Sequence, residues 1–455
     1  MSGITIKVLS SFFAIAIAFF SIFTAPASPQ TQNVLTPVDD MPLKEDAEKT
    51  VTIHLLSSLG ENSQSIQQAA DMFCADRPNI RIHIHTVASQ SDYRSTLRSK
   101  LLSGEQVDLF HIFSQTEARE LQKYLARLSH LQWLKKARPQ SLAGITLDDG
   151  LYGVPYSLEG YGLLYNTAIW EAAGINIRNI QNFEELEKAF EELRVQIRDN
   201  KLREEFPHLR AVTEFPAQDR SFLGEQISNM ALFPDLLDSP TALATQILPF
   251  TGAQHAKDYV DLMVRCSSSR GEPALLAQIP RNRQLQTGLA AGRIAVIQDV
   301  TGVYKEIRAV DPQIADTLSF QPIPFPGEES AAVYADSPLY WGVNQTSAPE
   351  VQEAAAQFLE WLYTSPQGIY LTQNGLGILS PFPQSEDQEV AASNPLQKQL
   401  EGYIDAGRSR GWIYREFPQG FTQEVFATEI KEYLANQSVW KSFAQHCQEQ
   451  WYRLR

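Results

Sequence analysis

Apolar positions along this chain switch repeatedly between the period of a strand and the period of a helix. Residues 51–56 (VTIHLL) are a short, mostly apolar run ending at Ser57-Ser58-Leu59-Gly60, after which Ile66, Ala69, Ala70 and Phe73 recur at helical spacing over 63–76. Pro78 stops that helix, and residues 80–87 alternate as a strand. A helix carrying Tyr93, Leu97 and Leu101 stops at Ser103-Gly104, a buried strand follows at 107–113, and a further helix carries Leu121, Tyr124, Leu125 and Leu128. Alternation of this kind predicts a sheet that is parallel at its centre.

The same grammar resumes from residue 182. Asn182 caps a predicted helix in which Glu185 completes a capping box, with Phe183, Leu186, Phe190, Leu193 and Ile197 as its apolar stripe. Gly292 closes another helix before a strand at 293–298, residues 322–327 read as a Pro/Gly loop and 339–343 as a strand. A helix at 351–363 then puts Ala355, Phe358, Leu359 and Leu362 on one side, and helical segments fill 421–451. There is no internal repeat, low-complexity tract or heptad pattern. Between the two halves, residues 149–174 hold two apolar strand-like runs joined by a short polar hinge rather than a linker. That is how one lobe hands the chain to another across a cleft.

Length supports two lobes, because 455 residues exceed the ~250–300 at which a single core stops growing. Residues 1–27 read as a cleavable export signal: Lys7 is the only charge, 8–23 are almost wholly apolar, and Ala25-Pro26-Ala27 offers small residues for cleavage. An uncleaved anchor is the alternative, although the run is shorter than the ~20 residues a spanning helix needs. Residues 28–48, rich in Pro, Thr and Gln, read as a disordered leader. No cysteine precedes Cys74, so the cleavage point cannot carry a lipid, and the expected location is free in a periplasm. No later run is apolar enough to span a bilayer.

The chain carries 38 Lys+Arg against 53 Asp+Glu, a formal net charge of −15, and loss of Lys7 with the signal adds one more negative charge. That balance repels nucleic acid and anionic lipid. Cys74, Cys266 and Cys447 are too few for a disulfide scaffold and none has metal-ligand spacing. Cys74 falls on the apolar face with Ile66, Ala70 and Phe73, and an oxidising compartment permits Cys266 to pair with Cys447.

In open parallel sheets, ligands sit beyond the carboxyl ends of strands, where loops and helix N-termini supply polar groups. This rule nominates Ser57, Ser58, Glu61 and Asn62 after the first strand, Ser114 and Gln115 after the third, and Asp299 and Thr301 after the strand ending at Gln298. Each taken singly is better explained as a cap or turn residue, and it is as a converging set that they become site candidates. A sugar needs carboxylates and amides for paired hydroxyls and flat aromatic faces for its C–H side. Glu159 and Tyr161 supply one of each near the hinge, and Tyr340, Trp341, Trp412 and Tyr414 are further aromatic candidates, with core packing as their competing use. His54, His83 and His85 offer a metal site only on paper, since packing or solvent exposure is the far better explanation of them. No HExxH, CxxC, Walker loop or GxSxG elbow is present, and no carboxylate pair is nominated for glycoside hydrolysis. The expectation is a binding protein, not an enzyme, with no metal and no cofactor.

The stretch DGLYGVPYSLEGYGLLYNTAIWEAAG (149–174) resembles the corresponding segment of extracellular solute-binding proteins, family 1, which serve carbohydrate ABC importers and include the maltose-binding proteins. LAAGRIAVI (289–297), FQPIPFPG (320–327), DSPLYWGVNQTS (336–347) and FLEWLYTSPQG (358–368) resemble further family segments in the same order, covering most of 51–383. The resemblance implies a periplasmic-binding-protein-like α/β fold with two discontinuous lobes on a multi-strand hinge. It implies crossings near Ser157, Ser337 and Leu379, with 49–157 plus 339–378 as the N-terminal lobe and 158–338 plus 379–455 as the C-terminal lobe. The implied function is a monomeric periplasmic receptor that closes on a carbohydrate and partners an inner-membrane ABC permease. A ligand-sensing subunit for a membrane histidine kinase and a secreted carbohydrate-active enzyme are the alternatives. Phe215, Gln218 and Asp219 fall where relatives place a ligand loop. Two departures matter: residues 299–304 read DVTGVY, without the aromatic that follows the equivalent strand in relatives, and the first strand ends in Leu55-Leu56 rather than Trp. Both argue against a long stacked oligosaccharide and for a small sugar, a polyol or a nonsugar ligand.

Overall fold

The computed structural model describes residues 50–455 apart from Glu61, Ala88, 237–244, 270–271, Glu329, 384–393 and 437–438. The export signal and leader read from residues 1–48 lie outside the described residues. Strands β1 (Val51–Ser57), β2 (Ile80–Thr86) and β3 (Leu109–Ile112) alternate with helices α1 (Ser63–Ala75), α2 (Gln90–Ser103) and α3 (Gln115–Leu121). A short strand β4 (Val154–Pro155) leads into the long β5 (Glu159–Asn166). Helices α4 (Phe183–Arg198) and α5 (Ala253–Cys266) follow, then strands β6 (Val296–Val300), β7 (Leu318–Gln321), β8 (Val333–Asp336) and β9 (Tyr340–Val343). Helices α6 (Pro349–Thr364) and α7 (Pro395–Asp405), strand β10 (Ser409–Arg410) and helix α8 (Trp440–Leu454) complete the elements that position the site.

These elements form for local reasons visible in the chain. Helix α1 buries Ile66, Ala69, Ala70 and Phe73, the predicted stripe, whereas Cys74 is only half-buried. Asn182 Oδ1 accepts the Glu185 amide at 2.9 Å and caps α4, while the Glu185 carboxylate reaches back to the Gln181 amide at 2.8 Å, one residue before the cap. Gly104 ends α2 in the left-handed region at φ 72°, where glycine carries no Cβ penalty. Helix α3 is shorter than its leucines suggest. It ends at Leu121, and Leu125 leaves the helix to bridge Asn344 while the Ala126 amide bonds Val343 O at 2.8 Å, so these residues are buried against β9 as extended chain.

Two separate sheets result. The first runs β2-β1-β3-β9-β4, parallel among β1, β2 and β3 as the alternation predicts and antiparallel where β9 joins. The second is built around β5, which pairs antiparallel with β6, β7 and β8, with β10 parallel to β8. Here the expected parallel centre does not occur, because the long excursion over 167–295 returns the chain in the opposite direction. A strand's two-residue period is the same in either direction, so the pattern could not report it.

Each sheet has its own core. Residues between Ile53 and Tyr156 and between Leu339 and Phe382 pack together in one. Residues from Tyr161 to Tyr334 and from Trp412 to Trp451 form the other, with a smaller cluster from Leu158 to Ile404 beside it. Three segments connect the lobes side by side: the Tyr156 amide bonds Leu339 O at 3.0 Å and the Leu158 amide bonds Leu379 O at 2.8 Å. Buried Ser337 completes the crossing by donating its hydroxyl to Leu339 O at 2.7 Å. Backbone bonding among three crossings favours opening and closing over free tumbling of the lobes. Among the described residues no helix is long and apolar enough to cross a membrane.

A carboxylate and guanidinium cluster at the hinge

Three adjacent strands of the second sheet deliver acids to the hinge end. Glu159 opens β5, Asp336 closes β8 opposite it in register, and Asp299 lies near the end of β6 opposite Gly162. The Asp299 carboxylate is almost fully buried and binds Arg281 through two bonds, 2.8 Å to Nη2 and 3.1 Å to Nε. Burial pushes the Asp299 carboxyl above its usual range and Arg281 opposes the shift. Asp336 is raised by burial against the pull of Arg415, and its oxygens accept the Ser337 amide at 2.7 Å and the Trp412 amide at 3.2 Å. Arg415 donates to Ser337 O and lies over the Trp412 ring at 4.6 Å, so a guanidinium, a carboxylate and an indole meet beside the crossing. Burial also raises the Glu225 carboxyl, which accepts Gln423 Nε2 at 2.9 Å.

Glu159 is the exception within this group. It is half-buried, burial raises its carboxyl while Arg415 opposes, and no hydrogen bond from a described residue reaches it. Its Oε1 stands 3.0 Å from where a Cβ on Gly302 would lie, so the two residues adjoin in the turn after β6.

The first lobe carries buried polar groups of its own near the crossing. His111 in β3 is fully buried, and its Nδ1 accepts from the Ser58 amide at 3.1 Å and contacts Ser58 Oγ at 2.7 Å. The ring proton therefore resides on Nε2, which finds no partner among the described residues. The Tyr156 hydroxyl is buried beside Asn62 and within electrostatic reach of Glu159. Burial pushes the His111 imidazole from 6.5 down to about 3. An unfolded chain takes up that proton near pH 6.5 and the native chain only far below it, so stability is intact above about pH 6.5 and is lost as pH falls. The raised carboxylates act with the opposite sign, gaining stability as pH falls through their elevated values. Replacing His111 separates the two effects. From about pH 6.5 to pH 5 the residue is expected to withdraw ~2 kcal/mol, at ~1.4 kcal/mol per unit. His111→Gln should melt lower than the parent at pH 7.5 yet lose less on transfer to pH 5; equal losses would contradict this.

The predicted site residues separate into groups. Glu159 and Asp299 lie within electrostatic reach of each other, Thr301 follows in the next turn with its carbonyl accepting Asn394 Nδ2 at 2.8 Å, the Trp412 amide bonds Asp336, Asn62 lies beside Tyr156, and Ser58 bonds His111. Ser57 is buried and its hydroxyl accepts the Leu59 amide at 3.1 Å, a turn role; Ser114 caps α3 through the Glu117 amide at 3.1 Å. Gln115 points elsewhere, donating to Ala143 O and Thr146 O at 3.1 and 2.8 Å. Its amide and that of Thr116 are taken by Glu416 of the second lobe at 3.0 and 3.2 Å, so α3 meets a protein carboxylate where an incoming ligand was expected. Asp219 accepts the Phe222 amide at 3.0 Å, and Glu61 lies outside the described residues.

Three aromatic candidates are core. Tyr161 stacks on Tyr334 with ring centres 5.0 Å apart, Tyr340 is buried with its hydroxyl 3.3 Å from Asp336, and Trp341 is sealed against His111 at 4.4 Å with Nε1 bonded to the Tyr363 hydroxyl at 2.9 Å. Both faces of these strands are covered, so successive residues are buried alike and none presents an open ring. Trp412 is also mostly covered and donates Nε1 to Tyr334 O at 2.8 Å; its neighbour Tyr414 is half-buried. Sequence reasoning missed Arg281, Arg415, Glu416 and His111, the first three because single charges on short helical turns carry no periodic signal.

His54 bonds Asp108 at 3.1 Å and stacks on His83, and among the described residues no three His, Cys, Asp or Glu gather as a metal site. Cys266 and Cys447 are both buried as free thiols, so the pairing that their compartment would permit is not formed.

A fold of two lobes on three crossings, with polar groups converging at the hinge, defines a class of solute receptor. Residues 68–399 match the bacterial extracellular solute-binding proteins, and this chain belongs to that family. Apo RafE from Streptococcus pneumoniae is 15% identical with a TM-score of 0.71, over 89% of this chain and 98% of that one. The binding protein MsmE from Bacillus subtilis, in an open conformation, is 16% identical at 0.70, over 89% and 98%. A Bacillus licheniformis sugar transporter in complex with stachyose is 20% identical at 0.61, over 89% and 100%. At these identities the likeness establishes the shared fold. No curated protein is similar enough in sequence to match.

Proposed function

We propose that this protein is a periplasmic receptor that binds a small carbohydrate between its lobes and delivers it to an inner-membrane ABC permease, doing no chemistry itself. The lobes are 49–157 with 339–378 and 158–338 with 379–455, and residues 1–27 are the export signal. One observation carries the reading: the Glu159 carboxylate at the hinge has no hydrogen bond from a described residue, beside the Asp299–Arg281 pair and Arg415. Carboxylates and guanidiniums side by side offer both acceptors and donors to adjacent sugar hydroxyls, and charge-assisted bonds of this kind contribute ~1.5–3 kcal/mol. Tyr414 and the edge of Trp412 supply apolar surface for the C–H side of a ring. Likeness to a transporter protein solved with stachyose supports a saccharide, while DVTGVY after β6, lacking an aromatic platform, favours a short one.

A ligand acts here only through its preference for the closed form, so transport requires contacts from both lobes. The test is a thermal-shift screen over mono- to tetrasaccharides, polyols, amino acids and phosphate esters. A neutral saccharide at 100 times its Kd should add ~2.7 kcal/mol and raise the melting temperature. Stabilisation by amino acids alone would contradict the proposal.

A further inference from the structure

At the far end of the second lobe lies a pocket of about 670 Å³ lined by Arg194, Arg198, Arg203, Arg210 and Arg265, with no carboxylate in its lining. Its position is fixed by the sheet: lining residue Ala211 bridges Ile294, before β6 begins, whereas Asp299 is near that strand's other end. Five strand residues at ~3.3 Å each put the pocket ~16 Å from the hinge cluster.

Helix ends explain only part of this charge. Arg198 and Arg265 occupy the last turns of α4 and α5, where a cation offsets the helix dipole. Arg194, Arg203 and Arg210 have no such reason. Neighbouring acids hold some guanidiniums in place: Glu191 bonds Arg265 at 2.5 Å and Arg194 at 2.7 Å, Glu187 bonds Arg265 at 2.7 Å, and Asp199 bonds Arg198 at 3.0 Å. Arg210 is aimed by two backbone carbonyls, Pro207 O at 2.7 Å and Leu209 O at 2.8 Å, both taken by Nη1. Arg203 is exposed and has no partner among the described residues. Five arginines thus meet three paired acids, an excess of positive charge in a chain whose net charge is −15.

From this geometry we infer that the pocket is a second binding site, taking a small molecule that carries phosphate or sulfate groups with two or more negative charges. Guanidinium forks match tetrahedral oxyanions through paired N–H donors, and each carries five donors of which the internal bonds use a minority. The volume falls within the ~300–1,000 Å³ of small-molecule sites. Buried Cys266 and Ser267 also line the pocket.

Calorimetric titration of the full chain with pyrophosphate and, separately, with a disulfated disaccharide in low salt tests the site and distinguishes the two sources. At least one should bind, weaken more than tenfold in 0.5 M NaCl, and weaken more than tenfold in Arg203→Gln and in Arg203→Gln/Arg210→Gln. Melting temperatures of both variants should match the parent, since both side chains are exposed. Absence of binding by either probe up to 10 mM, or undiminished binding in the single variant, overturns the proposal.

Discussion

Glu159→Ala is expected to lower the affinity for the cognate saccharide by one to two orders of magnitude while leaving the melting temperature close to that of the parent. The two parts have one cause. No described residue hydrogen-bonds this carboxylate, so its removal orphans no internal donor. Burial and the nearby Asp299 disfavour its charge, and taking that charge away relieves a cost that Arg415 and Arg281 only partly offset. What is lost is a charge-assisted bond to a ligand hydroxyl, ~1.5–3 kcal/mol, or roughly 10- to 150-fold. Glu159→Gln should recover part of the affinity, because the amide keeps one acceptor. Calorimetry on both variants checks this, and unchanged affinity in Glu159→Ala would remove the residue from the site.

Asp299→Ala should behave in the opposite way, failing first in stability. Its carboxylate is almost completely buried and holds Arg281 by two bonds, while also accepting the Val300 amide at 2.8 Å. Truncation leaves a partly buried guanidinium uncompensated and strands a backbone donor. Loss of one partner of a buried pair costs ~3–5 kcal/mol, and partial exposure of Arg281 places this case near ~3. Thermal denaturation should show a fall of several degrees, and Arg281→Met/Asp299→Leu should recover much of it, since an apolar pair of similar volume carries no desolvation cost. An Asp299→Ala protein as stable as the parent would show that the ion pair contributes nothing to the fold. Any affinity loss in this variant must be read beside its stability, which makes Glu159 the cleaner probe.

Chain pattern reached a good part of this arrangement. Helix α1, the capped α4 and the parallel strands follow from short-range periodicity, caps and turn residues, which act within a few positions, whereas the crossings near Ser157, Ser337 and Leu379 come only from the family resemblance. Direction in the second sheet was not legible, because β5 meets partners more than a hundred residues away. Glu159 and Asp299 could be nominated because strand ends mark where ligands approach. Arg281 and Arg415 could not, since a single charge on a short helical turn looks the same whether it faces solvent or a buried carboxylate. Tyr161, Tyr340 and Trp341 misled for a related reason: aromatic identity is common to binding platforms and to cores, and only the covering of both sheet faces decides between them.

Small-angle X-ray scattering of the full protein with and without its saccharide tests the central claim most directly. Saturating ligand should reduce the radius of gyration as the lobes close over the hinge cluster, and Glu159→Ala should need a correspondingly higher concentration for the same change. A saturated complex with an unchanged radius of gyration would contradict a receptor that works by closing on its solute.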